Sequence, residues 1–224
     1  AAALLRSRDS PTRNIYTWNP STKVLVDVLT ANLAPLQSIE PTLTDKVVDF
    51  IRGNDGDGAP RSMRLGPLIN TVPSIVAAPV KYGQGTVAFN HTAFEETYAE
   101  RRSLIWIGAN DGMLHAFDFD TGEEIVALMP PQLLAQQATL YQNFLDAKKT
   151  GTGQPVTFEN IYGVAGSLRF ADVYFPDDPA VVAGDPNGRW RTLGLMTLAD
   201  GGDLVAAIDI THPYSTDPNY GNFP

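Results

Sequence analysis

The sequence predicts an all-β chain with short helical insertions, assembled from small sheets that repeat. Three observations carry that prediction. The 224 residues hold 19 Gly and 17 Pro against a charged fraction of only 18%, a balance that supplies many turns between short strands. From residue 69 the chain reads largely as β-type runs bounded by turn residues. An offset of 91 residues then lays Ala116-Phe117-Asp118 on Ala207-Ile208-Asp209, and Met113-Leu114 on Leu204-Val205, without a gap.

The elements follow in order. Residues 12–30, "TRNIYTWNPSTKVLVDVLT", give two short strands around an Asn-Pro-Ser-Thr turn. In "LTDKVVDFIRGND", Thr44 is an N-cap, Asp45 suits a helix N-terminus, and Val47, Val48, Phe50 and Ile51 form an apolar face. Gly53 stops that helix. "GNDGDGAP" follows as an exposed loop. Four strands come next: "INTVPSIVAAPV", then, after a loop around Lys81–Arg101, "SLIWIGAN", "GMLHAFDFD" and "EEIVALMP". Alternation sets Leu104, Trp106 and Gly108 on one face of the second and Ile105 and Ile107 on the other. Both faces are apolar, so that strand is interior.

"PQLLAQQATLYQNFLDAKK" reads as a surface helix with Leu133, Leu134, Gln137 and Leu140 at helical spacing and Tyr141, Phe144 and Leu145 beyond. Strands resume in "GSLRFADVYF", "WRTLGLMTLAD" and "LVAAIDITHP". A repeated four-stranded unit is the signature of β-propeller blades. The first unit supplies all its strands and the second three, so the chain holds a partial propeller and is expected to be a piece of a longer protein. The expected divisions are 1–65, a segment leading in; 66–130, a first blade; 131–150, the helical insertion; and 151–224, an incomplete second blade.

Charge and composition exclude several classes. A net charge of −9 and a pI near 4.7 leave no basic surface for nucleic acid or anionic lipid. There is no cysteine, hence no disulfide, thiolate metal site or cysteine nucleophile. No apolar run reaches membrane-spanning length, and the opening "AAALL" is too short for a signal peptide's apolar region.

The stretch "GANDGMLHAFDFDTGEE", residues 108–124, concentrates the residues that could carry chemistry. Asn110-Asp111-Gly112 suits a tight hairpin turn with positive φ at Gly112. Asp118 and Asp120-Thr121-Gly122 suit a second turn, with carboxylates accepting backbone N–H groups. On that reading Asp111→Asn is mild and Gly112→Val damaging. His115 is an isolated histidine with no ligand spacing to His91 or His212, and reads as packed or at the surface. In Asn54–Gly58, Asp55, Asp57 and Gly58 match the third, fifth and sixth places of a calcium loop, but Gly53 and Arg64 stand where carboxylates are needed. Arg52-Gly53-Asn54 falls one residue short of an integrin-type triplet. The glycine pairs at 83–85 and 151–153 are isolated, and Asn90-His91-Thr92 is only a formal glycosylation triplet. No nucleophile elbow, zinc helix motif or phosphate loop is present. The expected site residues are therefore none: no catalytic, cofactor-binding or metal-binding set.

"LIWIGANDGMLHAFDFDTGEEIVALMP" closely resembles the signature blade of the PilC/PilY family, tip-associated proteins of bacterial type IV pili. "NIYTW", "VVDFIRGND", "LGPLINTVPSIVAAP", "YGVAGSLRFADVYF" and "WRTLGLMTLADGGDLVAAIDITHP" match in the same order, over about residues 13–213. The departures are Pro67 and Val72-Pro73 in the first blade strand and Ala165 where the family has an aspartate. The resemblance implies a non-enzymatic pilus biogenesis and adhesion protein of the cell surface, exported through the periplasm. Its partners would be minor pilins, a host or abiotic surface, and the remaining blades of the same protein. The family's calcium loop lies beyond the matched segments, so no cofactor is expected in this chain. "AFDFDTGEEIV" also resembles the repeat of quinoprotein dehydrogenases, which bind pyrroloquinoline quinone, but Ile125-Val126-Ala127 lacks the tryptophan of that repeat. A third alternative is an extracellular scaffold or filament protein.

Overall fold

The computed structural model describes residues 12–79, 91–149, 161–175 and 190–211. Asn90, His212 and both glycine pairs lie outside them. The described chain is sheet-rich, with two sheets and a few helices. Strands β1 (Ile15–Trp18), β2 (Leu25–Asp27), β3 (Ser74–Val76), β4 (Leu104–Gly108), β5 (Leu114–Asp118) and β6 (Glu124–Leu128) form one sheet in the order β2-β1-β6-β5-β4-β3. Strands β7 (Arg169–Tyr174), β8 (Trp190–Thr197) and β9 (Val205–Asp209) form a second, in sequence order.

The four β-type runs of the sequence form β3 to β6, an antiparallel meander. The N-terminal strand adds something the pattern does not announce: β1 joins the outer edge of β6 in parallel, Ile15 opposite Ala127 and Tyr16 opposite Leu128. The lead-in segment is thus part of the first sheet. The 91-residue repeat is structural as well. Leu114–Asp118 and Val205–Asp209 are both strands, Asp118 pairs with Leu104 and Asp209 with Leu193.

Helix α1 (Leu33–Gln37) is short. Helix α2 (Asp45–Ile51) starts where expected: the Thr44 side chain accepts the Val47 N–H, and Val47, Val48, Phe50 and Ile51 are buried. Its end turns at Gly53, whose φ of 103° favours glycine. Helix α3 (His91–Thr97) precedes β4. Helix α4 (Leu134–Lys149) exposes Ala135, Thr139 and Gln142, but its other face closes a core.

The first sheet separates two apolar cores. On one side Ile15, Ala127 and Met129 meet α2 and the buried face of α4, with Phe50 and Tyr141 rings 5.5 Å apart. On the other, Leu104, Trp106, Leu114 and Val126 pack against Leu168, Met196 and Ile210 of the second sheet and its flanks. Trp106 is 0% exposed, as an interior strand requires.

Candidate functional site

The acidic stretch opens at the β4–β5 turn. Met113 and Ala109 close it, the Ala109 N–H donating to the Met113 carbonyl at 2.9 Å. Gly112 has a φ of 89°, and a Cβ there would come 2.7 Å from the Gln137 amide nitrogen. Asp111 Oδ1 accepts the Met113 N–H at 3.1 Å. The same two-residue reach recurs: Asp118 Oδ1 accepts from Asp120, Asp55 Oδ1 from Asp57, and Asp209 Oδ1 from Thr211. A short carboxylate reaching forward to a nearby N–H is a local property of aspartate. Turn chemistry accounts for these acids.

At Asp111 it is not the whole account. Its Oδ2 accepts the Gly66 N–H at 2.8 Å, and both oxygens face His115 Nε2, at 3.1 and 3.2 Å. His115 is 0% exposed. Its Nδ1 lies 2.8 Å from Glu124 Oε1, and Glu124 takes a two-pronged pair from Arg13, Nε to Oε2 at 2.7 Å and Nη2 to Oε1 at 2.8 Å. Four charged side chains therefore run Arg13, Glu124, His115, Asp111, with alternating sign.

A β-bulge puts Glu124 in this chain. Ala116 pairs with Val126, but Phe117 pairs with Glu124, so β6 carries one extra residue at Ile125. In unbroken alternation Glu124 and Val126 would share a face, and the carboxylate would enter the apolar core between the sheets. The bulge turns it to the His115 side instead.

The charges tune one another. Burial works against an imidazolium at His115, but the Asp111 and Glu124 carboxylates outweigh it and hold the pKa up to about 9. Burial likewise works against a Glu124 carboxylate, yet Arg13 and His115 bring it well below its usual range. Asp111 is lowered too: burial opposes ionisation, while His115 and the Gly66 N–H overcome it. At neutral pH His115 is a cation donating from both ring nitrogens.

The turn that ends this chain is also a junction. Its Ala109 carbonyl accepts the Val164 N–H at 3.0 Å, and Asn110 Oδ1 accepts the Gly163 N–H at 3.3 Å, both from the segment entering the second sheet. Gln137 of α4 donates to the Asp111 carbonyl at 2.9 Å. At the other end, Arg13 donates to the Arg52 carbonyl at 3.1 Å, and Arg52 donates back to the Arg13 carbonyl at 2.6 Å and to Val28 at 2.7 Å.

The other sequence candidates lie apart from this chain. Asp49 organises the 53–60 loop by accepting from the N–H groups of Gly56 and Gly58 and from the Asn54 amide. Asp55 pairs with Lys148 and Asp57 with Lys46. Gly56 and Asn54 are buried; the outer loop from Asp57 to Pro60 is exposed as expected. His91 starts α3 beside Glu95, at 2.8 Å, with the Trp190 ring 4.4 Å away. Among the described residues, no three His, Cys, Asp or Glu gather where they could hold a metal.

The sequence puts Asp111 in its turn and His115 either packed or at the surface; in the structure His115 is packed. Spacing does not reveal Arg13 or Glu124 as partners, because their positions follow from the parallel β1–β6 pairing and the bulge, nor Gly66, which lies beside the turn where the Asn110 N–H donates to the Pro67 carbonyl. The one available signal was the adjacent pair Ile125-Val126, which breaks strict alternation. The expectation that Asp111→Asn is mild is corrected on the same ground. Both carboxylate oxygens receive donors, and an amide would turn N–H against N–H at one of them.

These features define a sheet-rich chain segment whose polar centre is a charge network internal to the fold. Comparison with known proteins places it further. The chain is 33% identical over 161 residues to a type IV pilus biogenesis factor PilY1 homolog of Xylella fastidiosa, covering 68% of this chain and 11% of the relative. It is 28% identical over 242 residues to type IV pilus biogenesis factor PilY1 of Pseudomonas aeruginosa strain UCBPP-PA14, covering 95% of this chain and 18% of that protein. With PilY1 of strain PAO1 the identity is 30% over 175 residues, covering 74% and 13% respectively. No family model and no solved structure matches the chain. The chain belongs to the PilC/PilY family. It spans between 11% and 18% of the length of these three curated relatives.

Proposed function

We propose that this chain is part of a non-enzymatic type IV pilus biogenesis and adhesion protein, and that its two sheets are successive blades of a β-propeller in a longer polypeptide. The similarity to PilY1 proteins along almost the whole chain carries the first part of that reading. The repeat supports the second. On the strand registers, Leu195 and Val205 of the second sheet correspond to Trp106 and Leu114 of the first. Trp106 and Leu114 are buried by the second sheet, whereas Leu195 is 46% and Val205 64% exposed. An apolar face equivalent to a buried one suits a further blade. The protein would act at the cell surface after export through the periplasm, with minor pilins and a host or abiotic surface as partners. Calcium, if the protein uses it, would bind elsewhere in the polypeptide.

Deleting the gene and counting pili by electron microscopy tests the function. Loss of pili or of surface attachment, restored by the wild-type gene, is expected. Normal piliation and attachment would overturn it. Pull-down of minor pilins with the purified protein tests the partner directly.

A further inference from the structure

The charge chain joins two parts of the fold that share no strand pairing among the described residues. At one end Arg13 precedes β1 and secures it to β6 through Glu124. At the other Asp111 sits in the turn whose Ala109 and Asn110 receive the N–H groups of Val164 and Gly163. Between them His115 bridges the two carboxylates. Each link needs its neighbour. Without Arg13, Glu124 loses its two-pronged cation in the interior; without His115, Asp111 loses the cation that holds the turn toward β6. Close packing at the junction leaves no slack. A Cβ on Gly163 would stand 2.6 Å from the Ala109 carbonyl, and one on Gly108 would strike the Val164 carbonyl.

We propose that the Arg13–Glu124–His115–Asp111 chain couples the docking of the N-terminal strand to the seating of the second sheet, so that loosening either one loosens the other. Detachment of the segment before β1 would then be felt at the junction between the two sheets. This inference rests on the contacts of the chain alone and not on the pilus assignment. The link is a free-energy coupling carried by contiguous contacts. Coupling between sites is also reciprocal.

Hydrogen exchange read by mass spectrometry on the purified 224-residue chain tests it. Arg13→Gln should speed exchange at least tenfold in β1 and also in the distant segment 163–168. Asn110→Ala, which cuts the junction, should speed exchange in β1 in return. Arg102→Gln removes the 2.6 Å pair with Asp118, outside the chain, and should leave 163–168 unchanged. If Arg13→Gln accelerates only β1 and β6, or Arg102→Gln matches it at 163–168, the coupling is refuted. Should Arg13→Gln fail to fold, Asn110→Ala decides: unchanged exchange in β1 sinks the proposal.

Discussion

Arg13 and Glu124, separated by 111 residues in the sequence, meet in the interior as a two-pronged ion pair, with side chains 0% and 1% exposed. Two parallel N–H···O bonds are the strongest geometry open to a carboxylate and a guanidinium. The pair is stable there because neither ion stands alone: Arg13 also donates to the Arg52 carbonyl, and Glu124 to His115 is a second charged contact.

Removing one member of a buried pair leaves the other charge under-compensated. Arg13→Met should therefore destabilise the fold by about 3–5 kcal/mol. Replacing Arg13 and Glu124 together by apolar residues should cost less than the sum of the single changes. A urea-melt double-mutant cycle measures the difference, and strict additivity would show that the ion pair carries no coupling.

The pH dependence of stability follows from the pKa shifts. His115 binds its proton more tightly folded than unfolded, with a pKa of about 9 against 6.5. Its contribution, about 3 kcal/mol, is fully present below pH 6.5 and disappears as pH rises through 9. Glu124 and Asp111 are lowered, so their contributions are present above their unfolded values and disappear as pH falls through the folded ones. The melting temperature of His115→Gln should lie well below wild type at pH 7, with the gap closing toward pH 10. A constant gap across that range would show that His115 does not titrate there.

The turn makes a paired prediction. Gly112→Val combines a positive φ with a clash at Gln137, and should cost several times RT, about 2–4 kcal/mol. Asp111→Asn should cost about 1–3 kcal/mol, because one buried donor loses its acceptor. Thermal melts of both variants against wild type check the two values. An asparagine variant indistinguishable from wild type would mean that His115 and Gly66 find other partners.

Trp106 makes the sharpest test of the inter-sheet core. Trp106→Ala should cost about 3–5 kcal/mol. Its indole N–H is buried without an acceptor, an arrangement that itself costs stability. Trp106→Phe removes that donor while keeping most of the apolar surface, and should retain most of the wild-type melting temperature. Equal losses in both variants would argue that the indole shape, rather than its burial, is what the site needs.

The absence of cysteine gives a clean probe of the open face. Single cysteines at Leu195 and Val205 should react rapidly with a maleimide in the 224-residue chain. In a polypeptide of the relatives' length, a further blade should protect them at least tenfold. Equal reactivity in both would remove the exposed face as support for a propeller, and leave the family assignment untouched.

Local chemistry made much of this protein legible from sequence. Apolar β-type runs bounded by turn residues located the strands from β3 to β9, Thr44 and the apolar spacing after it located α2, and Asn110-Asp111-Gly112 specified its turn. Those signals need only neighbours within a few residues. The self-match at an offset of 91 likewise announced that a strand pair recurs. Tertiary structure alone decided the rest. Parallel pairing of β1 with β6 brings Arg13 to Glu124, and a single extra residue at Ile125 turns Glu124 from the apolar core to His115. Because side chains alternate along a strand, a one-residue shift reverses the face a side chain occupies. Whether His115 was a neutral packed ring or a buried cation depended on that reversal, and on chain segments too far apart in sequence for spacing to reveal.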